Sequence, residues 1–313
     1  MVRPYRDDVL VSVSIGPAGD LFALWANAAD GAAMGSVTTQ AGGATFPDPT
    51  TDRPVTVRVS RQAGDSVHVT SLQGMTVAYP SVQPLPQGRL LVVGARCRWR
   101  PDGPDRNAVI YDSDGHVEVS ATLGDGIEHV LTTTSGEVWV GYFDEGVYGN
   151  YGWGGGNAPP PVGDRGLIRF SPELRPVWRF ASHVDGTVGA ISDCYALNVT
   201  DDAVWTCYYT DFPIVRVRGG EVTGWRNSID GARALAVSGT RIGLLGGYGP
   251  NKDRLVVGEL DGDALRVADE YGLVLPDGGP LPTRVTAVGR GPVLHLVTNE
   301  HWYQLHLDDV PAR

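Results

Sequence analysis

The chain has 313 residues, with 42 Gly, 22 Pro and 42% apolar side chains. This turn-rich globular composition excludes a disordered chain, which would lack the apolar content. A formal charge of −11 argues against nucleic acid or an acidic membrane surface as partner, because both are gripped through clustered Lys and Arg. Residues 1–20 contain no signal-peptide core, and no later stretch approaches the ~20 apolar residues of a membrane span, so the expected location is cytoplasmic.

In chain order, six pairs of short apolar runs are each joined by a tight polar turn, the mark of a β-hairpin. They are VLVSVSIGPAGDLFALW, VAYPSVQPLPQGRLLVVG, IEHVLTTTSGEVWVGYF, CYALNVTDDAVWTCYY, ARALAVSGTRIGLLGG and RVTAVGRGPVLHLVTN. A second hairpin follows most of them: AVIYDSDGHVEVSA, GLIRFSPELRPVWRFA, VRVRGGEVTGW and LVVGELDGDALRVA. Aligned on Phe22, Leu91, Trp139, Trp205, Gly243 and Leu294, the units are spaced by 69, 48, 66, 38 and 51 residues.

Four-strand units recurring at about 40 to 50 residues are the signature of a propeller. The expected fold is therefore all-β: one six-bladed β-propeller over residues 1–313 with four antiparallel strands per blade. Its blades fall at approximately 8–72, 75–123, 125–182, 187–229, 230–275 and 283–310. The last unit runs out after HWYQLHL, so the segment around Arg3 to Tyr5, or the strand after it, is expected to complete it. A pair of β-sandwiches is the alternative, and it does not require six equivalent units.

In such a blade the connections alternate between two ends. One end receives minimal turns such as GPAGD, LPQGR, TSGE and SDGH, built from Gly, Pro and Asp for backbone reasons. The other receives NAADGAAMGSVTTQAGGATFPDPTTDRP, RCRWRPDGPDRN, FDEGVYGNYGWGGGNAPPPVGDRG, YTDFP, YGPNKD and NEHW. Long connections on one end of a rigid scaffold are where function concentrates. The stretch at 141–166 is accordingly expected to wall the channel mouth, against the plainer reading that its aromatics only cover apolar surface.

Acid/base chemistry at that mouth would draw on Glu128 with His129, or on Asp193 with Tyr195. Substrate contacts would come from Asp144, Glu145, Tyr148, Tyr151 and Trp153 in the long loop. Tyr209, Asp211, Arg233, Arg284 and His301 would add to them from later units. Asp193 and Asp211 have the competing role of holding their own turns. By the alignment Glu128 is equivalent to Cys194, and His129 to Tyr195, with Arg284 in the same row.

Glu128, Asp193, Asn198 and Asp144 are hard oxygen donors suited to calcium or magnesium, although no D-x-D-x-D-G loop accompanies them. Cys194 beside His129 is a further, cysteine-nucleophile option, set against the usual fate of a free cysteine as a small buried hydrophobe. The three cysteines lack C-x-x-C spacing, and the histidines lack a zinc pattern.

The six-unit pattern resembles the six-bladed β-propellers that include the calcium-dependent lactonases and the strictosidine-synthase-like enzymes. That resemblance lies in the repeat and matches no family motif. It implies a calcium ion held by Glu, Asn and Asp, a set echoed by Glu128, Asp193 and Asn198.

The leading functional expectation is an enzyme acting on a small ester, lactone or cyclisation-type substrate at the channel mouth. The alternative is a non-catalytic propeller binding a sugar or a protein on its long-loop aromatics. FDEGVYGNYGW, DCYALN and YTDFP each occur once, which favours one central site over a repeated set. A protein scaffold is the third class.

Overall fold

The computed structural model describes residues 1–181 and 188–311. The expected blade boundaries at 182 and 187 lie outside the described residues. The chain divides into two compact units, Met1–Arg179 and Phe180–Arg313.

In the first unit, β1 (Asp8–Ile15) and β2 (Leu21–Asn27) form the first hairpin. They are followed by α1 (Ala28–Met34), β3 (Val37–Thr39), β4 (Thr45–Pro47), β5 (Thr50–Ala63) and β6 (Ser66–Val77). The first sheet has the order β1-β2-β5-β6, and β3 pairs β4 in a separate small hairpin. The long connection after β2 is thus ordered: Asn27 caps α1, its side-chain oxygen accepting from the Asp30 N–H at 2.9 Å.

The second sheet contains β7 (Pro80–Pro84), β8 (Leu90–Gly94), β9 (Ala108–Tyr111) and β10 (Val117–Ala121). The third contains β11 (Ile127–Thr132), β12 (Val138–Tyr142), β13 (Leu167–Phe170) and β14 (Pro176–Arg179), with α2 (Asp144–Tyr148) inside its long loop. Both are antiparallel meanders. Apolar residues of facing sheets form the cores, for example Leu24, Val57 and Leu72 against Val82 and Val92.

In the second unit, β15 (Asp193–Val199), β16 (Val204–Tyr209), β17 (Ile214–Arg218) and β18 (Glu221–Trp225) form one meander. A second is built from β19 (Ala232–Ser238), β20 (Arg241–Gly246), β21 (Arg254–Asp261) and β22 (Ala264–Gly272). The third, β23 (Thr286–Arg290), β24 (Val293–Val297) and β25 (Trp302–His306), has three strands. The fourth strand expected from the N-terminal region is not formed. Residues 1–7 adopt no strand, and β1 is already paired with β2. Pro4 offers no N–H to a ladder, and cation–π contacts hold the segment on the first sheet, Arg3 over Trp25 at 5.9 Å and Arg58 over Tyr5 at 4.6 Å.

The first strands of successive sheets are tied side by side through buried amides. In the first unit the Gln83 amide nitrogen on β7 donates to Ser14 on β1, and its oxygen accepts from the N–H and hydroxyl of Thr132 on β11. In the second unit Asn198 on β15 donates to the carbonyls of Leu235 and Gly291 at 2.9 Å each and accepts from the Gly291 N–H at 2.8 Å. The strands come so close here that a Cβ on Gly289 would lie 1.8 Å from the Leu235 oxygen. Only glycine fits.

Candidate functional site

At the long-loop end of the first unit, the organising residue is Arg96, buried at 6% exposure. Its guanidinium meets Asp125 at 2.9 Å and Glu145 at 2.5 Å. It also lies over the rings of Tyr151, 4.4 Å from the centroid, and Phe143, 5.2 Å. The other Asp125 oxygen accepts the Cys97 N–H at 2.8 Å. Burial pushes the Asp125 carboxyl up to about 6, with Arg96 as the main opposing influence.

The loop's glycines allow this packing. A Cβ on Gly126, whose φ is +66°, would sit 2.2 Å from the Gly146 nitrogen. The start of α2 therefore lies directly on the turn that carries Asp125.

Within residues 141–166, side chains of α2 and the turn after it pack against Arg96 and its neighbours. Trp153 is buried, and its indole donates to the Cys97 carbonyl at 2.8 Å. Glu145 is committed to Arg96. Asp144 sits at the start of α2, its carboxylate accepting the Glu145 N–H at 2.7 Å. Tyr148 projects outward at 69% exposure.

Tyr151 has φ of +46°, in the left-handed region, which costs a non-glycine residue about 1 to 3 kcal/mol and persists where surroundings enforce it. Here its hydroxyl donates to the Pro47 carbonyl at 2.5 Å, its carbonyl accepts the Trp99 N–H at 2.9 Å, and Arg98 lies 5.4 Å from its ring.

These contacts frame a cleft of about 380 Å³. Phe46 and Pro47 from the β3–β4 hairpin, Trp99 and Tyr151 give it apolar walls, while Gln40, Asp48, Arg98 and Asn150 place polar groups around them. Asp48 accepts the Thr38 hydroxyl at 2.5 Å. Apart from Tyr151 the sequence analysis nominated none of these lining residues. The only local signal was the alternation of arginines with an aromatic in RCRWR.

The other candidates fall at strand bulges. The ladder skips Glu128 between Ile127 and His129, Tyr195 between Cys194 and Ala196, and Arg233 between Ala232 and Ala234. The bulges correct the sequence alignment: Glu128 is equivalent to Tyr195 and Arg233, and not to Cys194. The turn between β15 and β16 (200–203) is one residue shorter than that between β11 and β12 (133–137), which moves every earlier side chain by one place in an alignment made on the second strands. His129, next along the strand, is half-buried, and Arg233 reaches Asp253 at 3.7 Å.

In the second unit, Tyr195 belongs to an aromatic cluster. The Tyr248 hydroxyl donates to that of Tyr195 at 2.8 Å. The Phe212 ring lies 5.4 Å from Tyr195, 5.8 Å from Tyr209 and 6.2 Å from Tyr248. Asp211 and Phe212 carry φ of +65° and +50°. Burial, then the hydrogen bond from Tyr248, raises the Tyr195 phenol well above the ordinary range. Asp193 begins the same strand and is half-buried. Arg284 is exposed ahead of β23; His301 is exposed ahead of β25, its ring stacked on Tyr303 at 5.8 Å.

Asn198 is not a metal ligand, because both ends of its amide are spent on backbone. Among the described residues, the grouping with ligand spacing is Asp112, Asp114 and His116. There Asp112 holds its own turn by accepting the N–H groups of Asp114 and His116. The three cysteines form no disulfide and are buried, which takes Cys194 out of reach as a nucleophile. Burial pushes the Cys207 thiol up to about 12. Among the described residues, no helix is long and apolar enough to cross a membrane.

A model of the YxzG family matches residues 180–245, about a fifth of the chain. Comparison with curated protein sequences finds no match. Among solved structures, the chain is similar to a functionally unknown protein from Desulfotomaculum acetoxidans at TM-score 0.52 and 10% identity, covering 98% of this chain and 84% of the other. It is similar to the Cps50 (Swd1) beta-propeller domain of Myceliophteria thermophila at TM-score 0.51 and 10% identity, covering 97% and 85%. A chain of a mitotic checkpoint complex matches at 0.50 and 10%, covering 95% and 87%. Likeness at this identity speaks to fold alone, and that fold is a β-propeller.

Proposed function

We propose that this propeller is a non-catalytic binding protein whose ligand is a saccharide, seated in the 380 Å³ cleft between the β3–β4 hairpin, Arg98–Trp99 and the 150–152 turn. The cleft's composition carries the reading. A sugar ring offers C–H faces that pack on an aromatic such as Trp99, and rim hydroxyls that pair with planar amides and guanidinium groups. Gln40, Asn150 and Arg98 supply those groups. Arg98 makes no ion pair among the described residues and biases the site toward an acidic sugar. We further propose that the six strand units are the six blades of one propeller, as their succession along the chain supports.

The enzyme reading is weaker. Tyr195 is a phenol held more firmly protonated than usual and already hydrogen-bonded to Tyr248, which opposes a role in proton transfer near neutrality.

Isothermal titration with glucuronate and with glucose tests the proposal. Saturable binding of either sugar, tighter for glucuronate and weakened at least tenfold by Trp99→Ala with unchanged circular dichroism, is expected. Absence of binding for both sugars at 20 mM, or binding indifferent to Trp99→Ala, would overturn it.

A further inference from the structure

The opposite, short-turn end of the first unit holds a second cleft, of about 410 Å³, between its first two sheets. Phe22 and Val59 of the first sheet, with Pro84 and Leu90 of the second, make its apolar walls. Around them stand Arg61, Arg89 and His68, together with the hydroxyls of Thr70 and Ser113. On a chain of formal charge −11, this is a concentration of donors.

The acidic groups near its arginines are Asp20, Glu118 and Glu173, the last of which accepts the Ser171 hydroxyl at 2.8 Å. Asp20, buried at 5% exposure, takes the Nε–H of Arg61. Glu118 stands 3.7 Å from Arg89 Nη1, and the Arg89 Nε–H goes to the Pro86 carbonyl at 3.2 Å. A guanidinium has five N–H donors, so both arginines keep donors to spare. The hydroxyls of Thr70 and Ser113 and the His68 ring have no hydrogen-bond partner among the described residues, and Arg61 lies 6.0 Å over the Phe22 ring. Cavities of this size with apolar walls and a few convergent polar groups suit small molecules. Spare guanidinium donors select an oxyanion.

We infer that this cleft is a binding site for a small amphipathic anion, an aryl or alkyl body lodged on Phe22, Val59 and Leu90 with a carboxylate or phosphate head between Arg61 and Arg89. The site is separate from the saccharide cleft and independent of that reading.

Titration calorimetry of the intact chain with 1-naphthoate, 1-naphthyl phosphate and the neutral 1-naphthylmethanol tests it. At least one anion is expected to bind at least tenfold more tightly than the alcohol, and the tighter anion identifies the head group. Arg89→Gln, a partly exposed position, should weaken anion binding at least fivefold. Ala18→Trp, an exposed position on the cleft rim, should abolish it while circular dichroism stays unchanged. Equal affinity for alcohol and anions, no saturable binding at 5 mM, or full affinity in Ala18→Trp would overturn the inference.

Discussion

The side-chain oxygen of Gln83 accepts two hydrogen bonds from a single residue, the N–H of Thr132 at 3.1 Å and its hydroxyl at 3.0 Å. Both residues are fully buried, and they sit on the first strands of neighbouring sheets. Asn198 plays the corresponding part in the second unit. A buried polar group left without its partner costs about 1 to 3 kcal/mol. Gln83→Leu removes an acceptor from the Thr132 N–H, while the Thr132 hydroxyl keeps the Pro84 carbonyl at 2.9 Å. Asn198→Leu removes the acceptor of the Gly291 N–H and a donor to the Leu235 carbonyl, while the Gly291 carbonyl keeps the Val237 N–H. Each is expected to lower unfolding free energy by about 1 to 3 kcal/mol, read as an earlier urea midpoint. A midpoint unchanged in either variant would show that water replaces the amide.

Arg96 is expected to behave as one member of a buried pair. Removing one partner of such a pair typically costs about 3 to 5 kcal/mol, because the other charge is left buried and uncompensated. Arg96→Met should therefore destabilise strongly by leaving the buried Asp125 carboxylate with backbone N–H groups and no cation. In an Asp125→Asn background the same change should cost less than half as much, since no buried charge is then stranded. A double-mutant cycle by urea denaturation measures the difference; additive losses would contradict the coupling.

His295 sets a pH dependence. Its ring is 2% exposed, Nδ1 accepts the Trp302 indole N–H at 3.1 Å, and the rings stack at 5.8 Å. Burial, with Arg290 adding to it, lowers its pKa from 6.5 to about 4. Between those values the unfolded chain binds the proton and the folded chain does not, so stability falls as pH drops through this window and is fully present above it. At 1.36 kcal/mol per unit, this contribution is about 3 kcal/mol. His295→Phe should show a flatter decline in urea midpoint between pH 7 and pH 4.5. An equally steep decline would assign the acid sensitivity elsewhere.

Strand hairpins were legible because alternation and turn residues are local properties. The six predicted hairpins coincide with β1–β2, β7–β8, β11–β12, β15–β16, β19–β20 and β23–β24. The bulges at Glu128, Tyr195 and Arg233 were not legible, since one inserted residue leaves the apolar pattern readable in either register. Asn198 looked like an oxygen ligand because its spacing said nothing of the two backbone segments that would close on it.

The sequence by itself determined the strand units, which follow from the order of side chains along a few residues. Tertiary structure alone decided which of those side chains became anchors and which line a cleft. Trp153 turned inward to the Cys97 carbonyl while Trp99, unremarked in its loop, faces the cleft. The second cleft brings Phe22, Arg61, Arg89 and Ser113 together from four separate parts of the chain. Such convergence is set by how sheets pack, and no local pattern encodes it.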